Sequence, residues 1–212
     1  MTTPQLRPYQ QNLISRIFYQ FQSHRRVMAQ APTGSGKSVI FGAIASHFAA
    51  KGCRVLCLAH REELIIQGAS HLQNWTPYPV GIIKVGFPFE PLFPVQFASI
   101  QTIINRLDLV GDYDLIVVDE AHHATSETYV TILDRYPNAK ILGLTATPIR
   151  SDGKGFDRLF DCLECGVTTA ELIESGYLSP YRLFADPRSM NTQGVRIKTH
   201  IPLVEEAIEE LK

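Results

Sequence analysis

Six short runs along the chain are rich in apolar residues: Val27-Met28-Ala29, Val55-Leu56-Cys57-Leu58, Ile82-Ile83-Lys84-Val85, Val95-Gln96-Phe97-Ala98, Leu115-Ile116-Val117-Val118 and Ile141-Leu142-Gly143-Leu144. Several are continuously apolar, the pattern of strands buried on both faces of a parallel sheet. Helical patterning lies between them, near residues 5–21, 36–50, 62–73, 100–106 and 125–135. Alternation of this kind predicts an α/β fold, a three-layer sandwich around a mainly parallel sheet. Thr168 and Glu171 have capping-box spacing and Gly176 is a C-terminal stop, so a further short helix is expected over 168–176. Residues 187–200 are polar without a clear period. Positions 203, 204, 207, 208 and 211 are apolar with acidic residues between them, which predicts an amphipathic terminal helix.

Composition narrows the class. Of 212 residues, 45% are hydrophobic and 19% charged, with 14 Gly and 13 Pro. An intrinsically disordered chain would have fewer apolar and more charged residues. The 20 basic and 21 acidic residues leave a net charge of −1. Binding to nucleic acid by bulk charge is thereby excluded, and any such contact must be local. Met1–Gln5 lacks the basic and apolar regions of a signal peptide, and no apolar run approaches the ~18 residues of a membrane span. A cytoplasmic protein with no membrane partner is expected. Four cysteines, Cys53, Cys57, Cys162 and Cys165, are too few for a disulfide framework at this length. The Cys162-x-x-Cys165 pair is half a zinc site at most, and reads better as small apolar side chains.

Two motifs carry chemistry. Ala31-Pro32-Thr33-Gly34-Ser35-Gly36-Lys37-Ser38 follows a strand and opens a helix, the context a phosphate-binding loop requires. Gly34 and Gly36 allow the tight turn that aims successive N–H groups at phosphate oxygens, and the helix N-terminus adds its positive end. Lys37 can reach the β and γ phosphates, and the Ser38 hydroxyl can ligate Mg²⁺. Ala31 stands where the first glycine of the general pattern belongs. The second motif, Asp119-Glu120-Ala121-His122-His123, follows the apolar run 115–118. Carboxylates at the C-terminal end of a buried strand lie where open α/β sheets bind ligands. Asp119 is expected to hold Mg²⁺ and Glu120 to orient the attacking water. Taken alone, the pair can also be read, with less weight, as acids capping the next helix. His122 and His123 make a poor transition-metal set with Asp119, because adjacent histidines point apart; a hydrogen-bond relay at His122 fits better.

With these motifs the chain resembles the superfamily 2 helicases and translocases of the DEAH-box branch, including type III restriction and phage DNA-helicase proteins. Leu6-Arg7-Pro8-Tyr9-Gln10 resembles the family's adenine-reading element, and Ala31–Ser38 its motif I. Ala59-His60-Arg61-Glu62-Glu63-Leu64 with Gln67 is similar to motif Ia, and Ser99-Ile100-Gln101-Thr102 to the next strand-contacting motif. Asp119–His122 spells DEAH, and Thr145-Ala146-Thr147-Pro148 resembles motif III. Leu172–Leu178 resembles the exit from the first motor domain. The order and spacing hold over residues 5–150. The resemblance implies a RecA-like P-loop NTPase domain with ATP and Mg²⁺ as cofactors, and a motif III strand between those of the phosphate loop and the Asp–Glu pair. It implies adenine reading by Arg7 and Gln10, coupling of the nucleotide and strand sites by His122, Thr145 and Thr147, and nucleic-acid contact by Arg61, Gln101 and Thr102. Arg25, Arg26, Lys84, Arg106 and Arg150 are candidate groove cations, equally readable as solvated surface charges.

The expected organisation is a RecA-like ATP-binding domain over 1–180, then a linker and short helix over 181–212 with the second helicase domain absent. The expected function is the ATP-binding part of an ATP-dependent nucleic-acid helicase or translocase, with DNA rather than RNA as partner and hydrolysis weak or incomplete in this chain alone. A second RecA-like domain, in cis or in trans, would complete it. The alternative is a truncated nucleotide-binding adaptor, or the ATPase half of a restriction-type complex without unwinding activity of its own.

Overall fold

The structure is a computed structural model that describes residues 5–59, 62–121, 127–148 and 159–181. His60, Arg61, His122, His123, Arg150 and the expected terminal helix lie outside these residues. Seven strands form one all-parallel sheet: β1 (Arg26–Gln30), β2 (Val55–Ala59), β3 (Val80–Ile83), β4 (Val95–Ser99), β5 (Leu115–Val118), β6 (Lys140–Thr145) and β7 (Cys162–Cys165). Their order is β3-β4-β2-β5-β6-β1-β7. After β1 the chain skips two strand positions, which β5 and β6 fill later. The expectation that the Thr145 strand lies between the other two motif strands is met.

Six helices accompany the sheet among the described residues: α1 (Pro8–Gln20), α2 (Lys37–Ala50), α3 (Glu62–Gln73), α4 (Ile100–Ile103), α5 (Glu127–Asp134) and α6 (Thr169–Glu174). Successive strand side chains point to opposite faces, so each continuously apolar strand feeds two cores. One face of the sheet gathers Val27, Ala29, Val55, Cys57, Phe97, Val117 and Leu142 against Leu13 and Ile17 of α1, Ile40 and Ile44 of α2, and Ile65 and Leu72 of α3. The other gathers Met28, Leu56, Leu58, Ala98, Ile116, Val118 and Ile141 against Ile100 and Ile103 of α4 and Tyr129, Ile132 and Leu133 of α5. This is the three-layer sandwich. No helix among the described residues is long and apolar enough to cross a membrane.

Three elements depart from the pattern read in the sequence. The strand expected at 82–85 lies at Val80–Ile83, and the chain turns away at the half-exposed Lys84 and the exposed Val85. The helix expected over 100–106 closes after Ile103. Cys162–Cys165 is an edge strand that the pattern did not predict, pairing in parallel with β1. Residues three apart on a strand point to opposite faces, so Cys162 and Cys165 do not share a ligand.

Candidate functional site

Because the strands are parallel, β1, β2, β4, β5 and β6 all end at one edge of the sheet, and every described motif falls there. The loop after β1 carries Pro32, Thr33, Gly34, Ser35 and Gly36 into α2. Gly34 and Gly36 both have φ of +81°, in the left-handed region open to glycine. Gly36 has a second reason to be glycine: a Cβ there would lie 2.7 Å from Gln10 Nε2. The Ser35 hydroxyl is turned inward and donates to the Pro32 carbonyl at 2.7 Å. Lys37 and Ser38 stand half-buried at the start of α2.

The N-terminal element docks on this loop from outside. Gln10 is buried (3% exposed) in the first turn of α1. Its Oε1 accepts from the Arg7 backbone N–H at 3.0 Å, and its Nε2 donates to the Ser35 carbonyl at 2.9 Å. The Tyr9 hydroxyl donates to the same carbonyl at 2.9 Å. Arg7 remains exposed and lies over the ring of Tyr177, 4.8 Å from its centroid. Tyr177 and Leu178 are site neighbours to which the sequence assigns no role here, since their contacts with Arg7 and Gly34 span most of the chain.

From β5 the acidic pair reaches toward the same loop. Lys37 Nζ lies 3.7 Å from Glu120 Oε1. Glu120 has φ of +50°, which among the described residues no other non-glycine shares. Such a backbone costs about 1 kcal/mol or more and persists where its surroundings impose it. Here the Glu120 N–H donates back to Asp119 Oδ1 at 3.0 Å, in a tight local turn. Asp119 N–H is anchored to the Leu58 carbonyl of β2 at 3.1 Å. Its charge is felt nearby: burial first, then Asp119, pushes the Tyr129 hydroxyl up to about 12, and the same two causes raise the Cys57 thiol. Thr145 is fully buried at the end of β6, where its carbonyl accepts from the Ala31 N–H at 2.9 Å. Its hydroxyl donates to the Thr147 carbonyl at 3.0 Å and accepts from the Thr147 N–H at 3.2 Å. The loop, the acidic pair and the Thr145 turn are therefore held together by backbone bonds between adjacent strands.

The donor set at this edge is an ammonium, a serine hydroxyl, two carboxylates and loop N–H groups. It suits a polyanion with a hard cation such as Mg²⁺, which prefers oxygen ligands.

The candidate strand contacts divide. Gln101 is exposed beside β4, with its Oε1 accepting from the Ser99 hydroxyl at 2.7 Å, whereas Thr102 is 7% exposed and faces the core. Lys84 and Arg106 each lie over a ring, Lys84 on Phe87 at 5.4 Å and Arg106 on Phe89 at 5.2 Å. Arg25 and Arg26 are corrected: they lie at the opposite end of β1, away from the motif edge. Arg25 donates to the Leu133, Tyr136 and Ala139 carbonyls, and Arg26 pairs with Asp134 at 2.8 Å. They tie α5 to the sheet and line no groove with the motifs.

A family model described as "Type III restriction enzyme, res subunit" matches residues 3–150. A 51.5 kDa protein of a Lactococcus phage (isolate 7-9) is 36% identical over 171 residues, covering 81% of this chain and 35% of that protein. The DNA 3'-5' translocase XPB2 of Sulfurisphaera tokodaii is 28% identical over 151 residues, covering 71% of this chain and 32% of the relative. The crystal structure of the Pyrococcus furiosus Hef helicase domain matches with a TM-score of 0.62 at 27% identity, over 76% of this chain and 37% of that one. The chain thus spans about a third of the length of the curated relatives it matches.

Proposed function

Because the chain belongs to the type III restriction enzyme res-subunit family and is a RecA-like domain of the superfamily 2 helicases, we propose that it is the ATP-binding half of a DNA helicase or translocase. The observation that carries this reading is the convergence of the Ala31–Gly36 loop with the acidic pair of β5, Lys37 Nζ lying 3.7 Å from Glu120 Oε1. Pro32–Ser38 would cradle the phosphates through loop N–H groups and the start of α2. In that state Lys37 turns from Glu120 to the β and γ phosphates. Ser38 and Asp119 would hold Mg²⁺, which when bound neutralises phosphate charge. Released from Lys37, the Glu120 carboxylate is the base that orients the attacking water and draws on its proton at Oε1.

Gln10 has one N–H and one lone pair in use in the bonds described, leaving one of each for a purine edge. Adenine offers a complementary acceptor and donor side by side, where guanine offers two acceptors, which supports ATP over GTP. Thr145 and Thr147, with His122, would couple the nucleotide edge to the strand-binding edge. Arg61 and Gln101 are proposed to meet the strand backbone; Thr102, buried, would support Gln101 rather than touch the strand. A DNA partner is favoured because a relative at 28% identity is a DNA translocase by name. Residues 1–180 are proposed as the motor's first domain, with a second RecA-like domain supplying the other wall of the ATP cleft.

The test is Lys37→Ala in the full chain. ATP affinity, read by displacement of a fluorescent ATP analogue, is expected to fall at least about tenfold, the loss of one charge-assisted contact. Unchanged affinity overturns the assignment of the loop. Glu120→Gln is expected to keep ATP binding and lower turnover by roughly 10²-fold or more, as for removal of a general base.

A further inference from the structure

Helix α6 begins with a Thr168–Glu171 capping box: Glu171 N–H donates to Thr168 Oγ1 at 3.2 Å and Thr168 N–H to Glu171 Oε2 at 2.7 Å. It ends in the reciprocal device. Gly176, with φ of +71°, donates to the Ile173 carbonyl at 3.0 Å, and the Tyr177 N–H reaches back to the Leu172 carbonyl at 2.8 Å. That pair of bonds is the Schellman arrangement, and it fixes the direction in which the next two residues leave the helix. The Leu178 N–H adds a third bond to Leu172 at 3.0 Å.

Both residues are aimed at the nucleotide loop. Leu178 covers Gly34 so closely that a Cβ there would lie 2.8 Å from its Cδ2. Tyr177 receives the Arg7 guanidinium on its face at 4.8 Å and the edge of Tyr9 at 5.2 Å between centroids. Arg7 Nη1 also donates to the Tyr9 hydroxyl at 3.3 Å, and Tyr9 in turn donates to the Ser35 carbonyl that Gln10 holds. One exposed ring thus organises the cation and the tyrosine that stand beside Gln10.

We propose that Tyr177 is a positioning residue for base recognition, orienting Arg7 and Tyr9 at the base side of the nucleotide pocket while Leu178 closes the segment onto the phosphate side. This rests on the ATP-binding reading and adds to it a residue outside the N-terminal element and the phosphate loop. The mechanism is preorganisation: a cation held on an aromatic face has lost its rotamer freedom before the nucleotide arrives. Tyr177 touches neither phosphate nor water in this scheme, so its effect belongs in affinity and base discrimination, not in the rate of the chemical step.

Competition against a fluorescent ATP analogue, run on the full chain with ATP, GTP and inorganic tripolyphosphate, tests the proposal. Wild type is expected to prefer ATP to GTP. Tyr177→Ala should weaken ATP about three- to tenfold, the range a partly exposed cation–π contact supports, and narrow the ATP-to-GTP preference. Tripolyphosphate affinity should stay within about twofold, and Tyr177→Phe, which keeps the ring, should restore ATP binding. Arg7→Ala combined with Tyr177→Ala should cost no more than the larger single change, because one acts through the other. Equal loss for all three competitors, additive effects of the two changes, or an unaltered ATP-to-GTP preference overturns the positioning role while leaving ATP binding standing. A wild-type chain that binds no ATP overturns the nucleotide reading, and this inference with it.

Discussion

Gln10 uses one hydrogen-bonding position at each end of its carboxamide, on Arg7 N–H and the Ser35 carbonyl. Gln10→Glu keeps the shape but turns the donor facing Ser35 into an acceptor. A buried carbonyl opposite a carboxylate costs about 1–3 kcal/mol, so thermal unfolding should shift down by several degrees. ATP affinity should fall with it; a variant with unchanged melting and affinity would show that this bond positions nothing. A second residue reports through pH. Glu164 on β7 accepts from Gln20 at 2.6 Å and from Arg16, whose guanidinium also holds the Cys165 carbonyl. Burial raises the Glu164 carboxyl, but the hydrogen bonds from Gln20 and Arg16 and the Arg16 charge outweigh it and leave the group below its ordinary value of 4.5. A carboxyl lowered by folding stabilises the fold above its unfolded value, and the gain is lost as pH falls through the folded value. Glu164→Gln should therefore lower stability by about 1 kcal/mol near neutral pH. The gap to wild type should close below pH 4.5, where the wild-type group also takes up its proton. Melting curves across that range check it, and a gap that stays constant would mean packing rather than charge.

Strand β6 is the element on which the site converges, because it lies between β1 and β5 and its last carbonyl, that of Thr145, anchors the loop at Ala31. It fits there only through Gly143, where a Cβ would run into the Phe160 ring and lie 2.9 Å from Ala121. Gly143→Val should cost about 1–3 kcal/mol through overpacking and should weaken ATP binding although the residue touches no nucleotide. Denaturant unfolding and the displacement assay test the two parts separately: a variant as stable as wild type overturns the first, and one that binds ATP normally overturns the second. Strands β2 and β5 were legible in the sequence because burial on both faces leaves Val55–Ala59 and Leu115–Val118 no polar positions. Strand β7 was not, because an edge strand bears alternately half-buried and exposed residues: Cys-Leu-Glu-Cys has little apolar periodicity, and its pairing with β1 is long-range. Strand β3 was read two residues late because Val85 is apolar yet exposed, past the turn. The same logic applies to the site. The loop and acidic motifs are local strings with fixed spacing, so the sequence displays them. The Tyr177 contact joins residues 170 positions apart and depends on a helix cap to aim the ring, so no local pattern announces it.

At the scale of the whole molecule, the position of the charges matters more than their sum. Net charge is −1, and several cations are committed to the fold at the amino end of the sheet. Arg54 donates to the Pro91, Val110 and Asp112 carbonyls, Arg25 to three more, and Arg26 is paired with Asp134. Candidates for a nucleic-acid backbone contact are Lys84 and Arg106, each on an aromatic ring, together with Arg61 and Arg150, which lie outside the described residues. Each phosphate neutralised on a single strand contributes about −0.7 to the slope of log affinity against log salt concentration. Four contacts therefore set a limit near −3, far shallower than a protein held by a broad basic surface. Rings under two of the cations add base stacking, which salt screens little. The expected behaviour of the isolated chain is weak binding to single-stranded DNA with a slope between about −1 and −3 and a residual affinity that survives high salt. Anisotropy titrations of a labelled oligonucleotide over a salt series measure both quantities. A slope steeper than about −5 would require more cationic contacts than these four candidates supply, and would overturn their assignment as the main phosphate contacts.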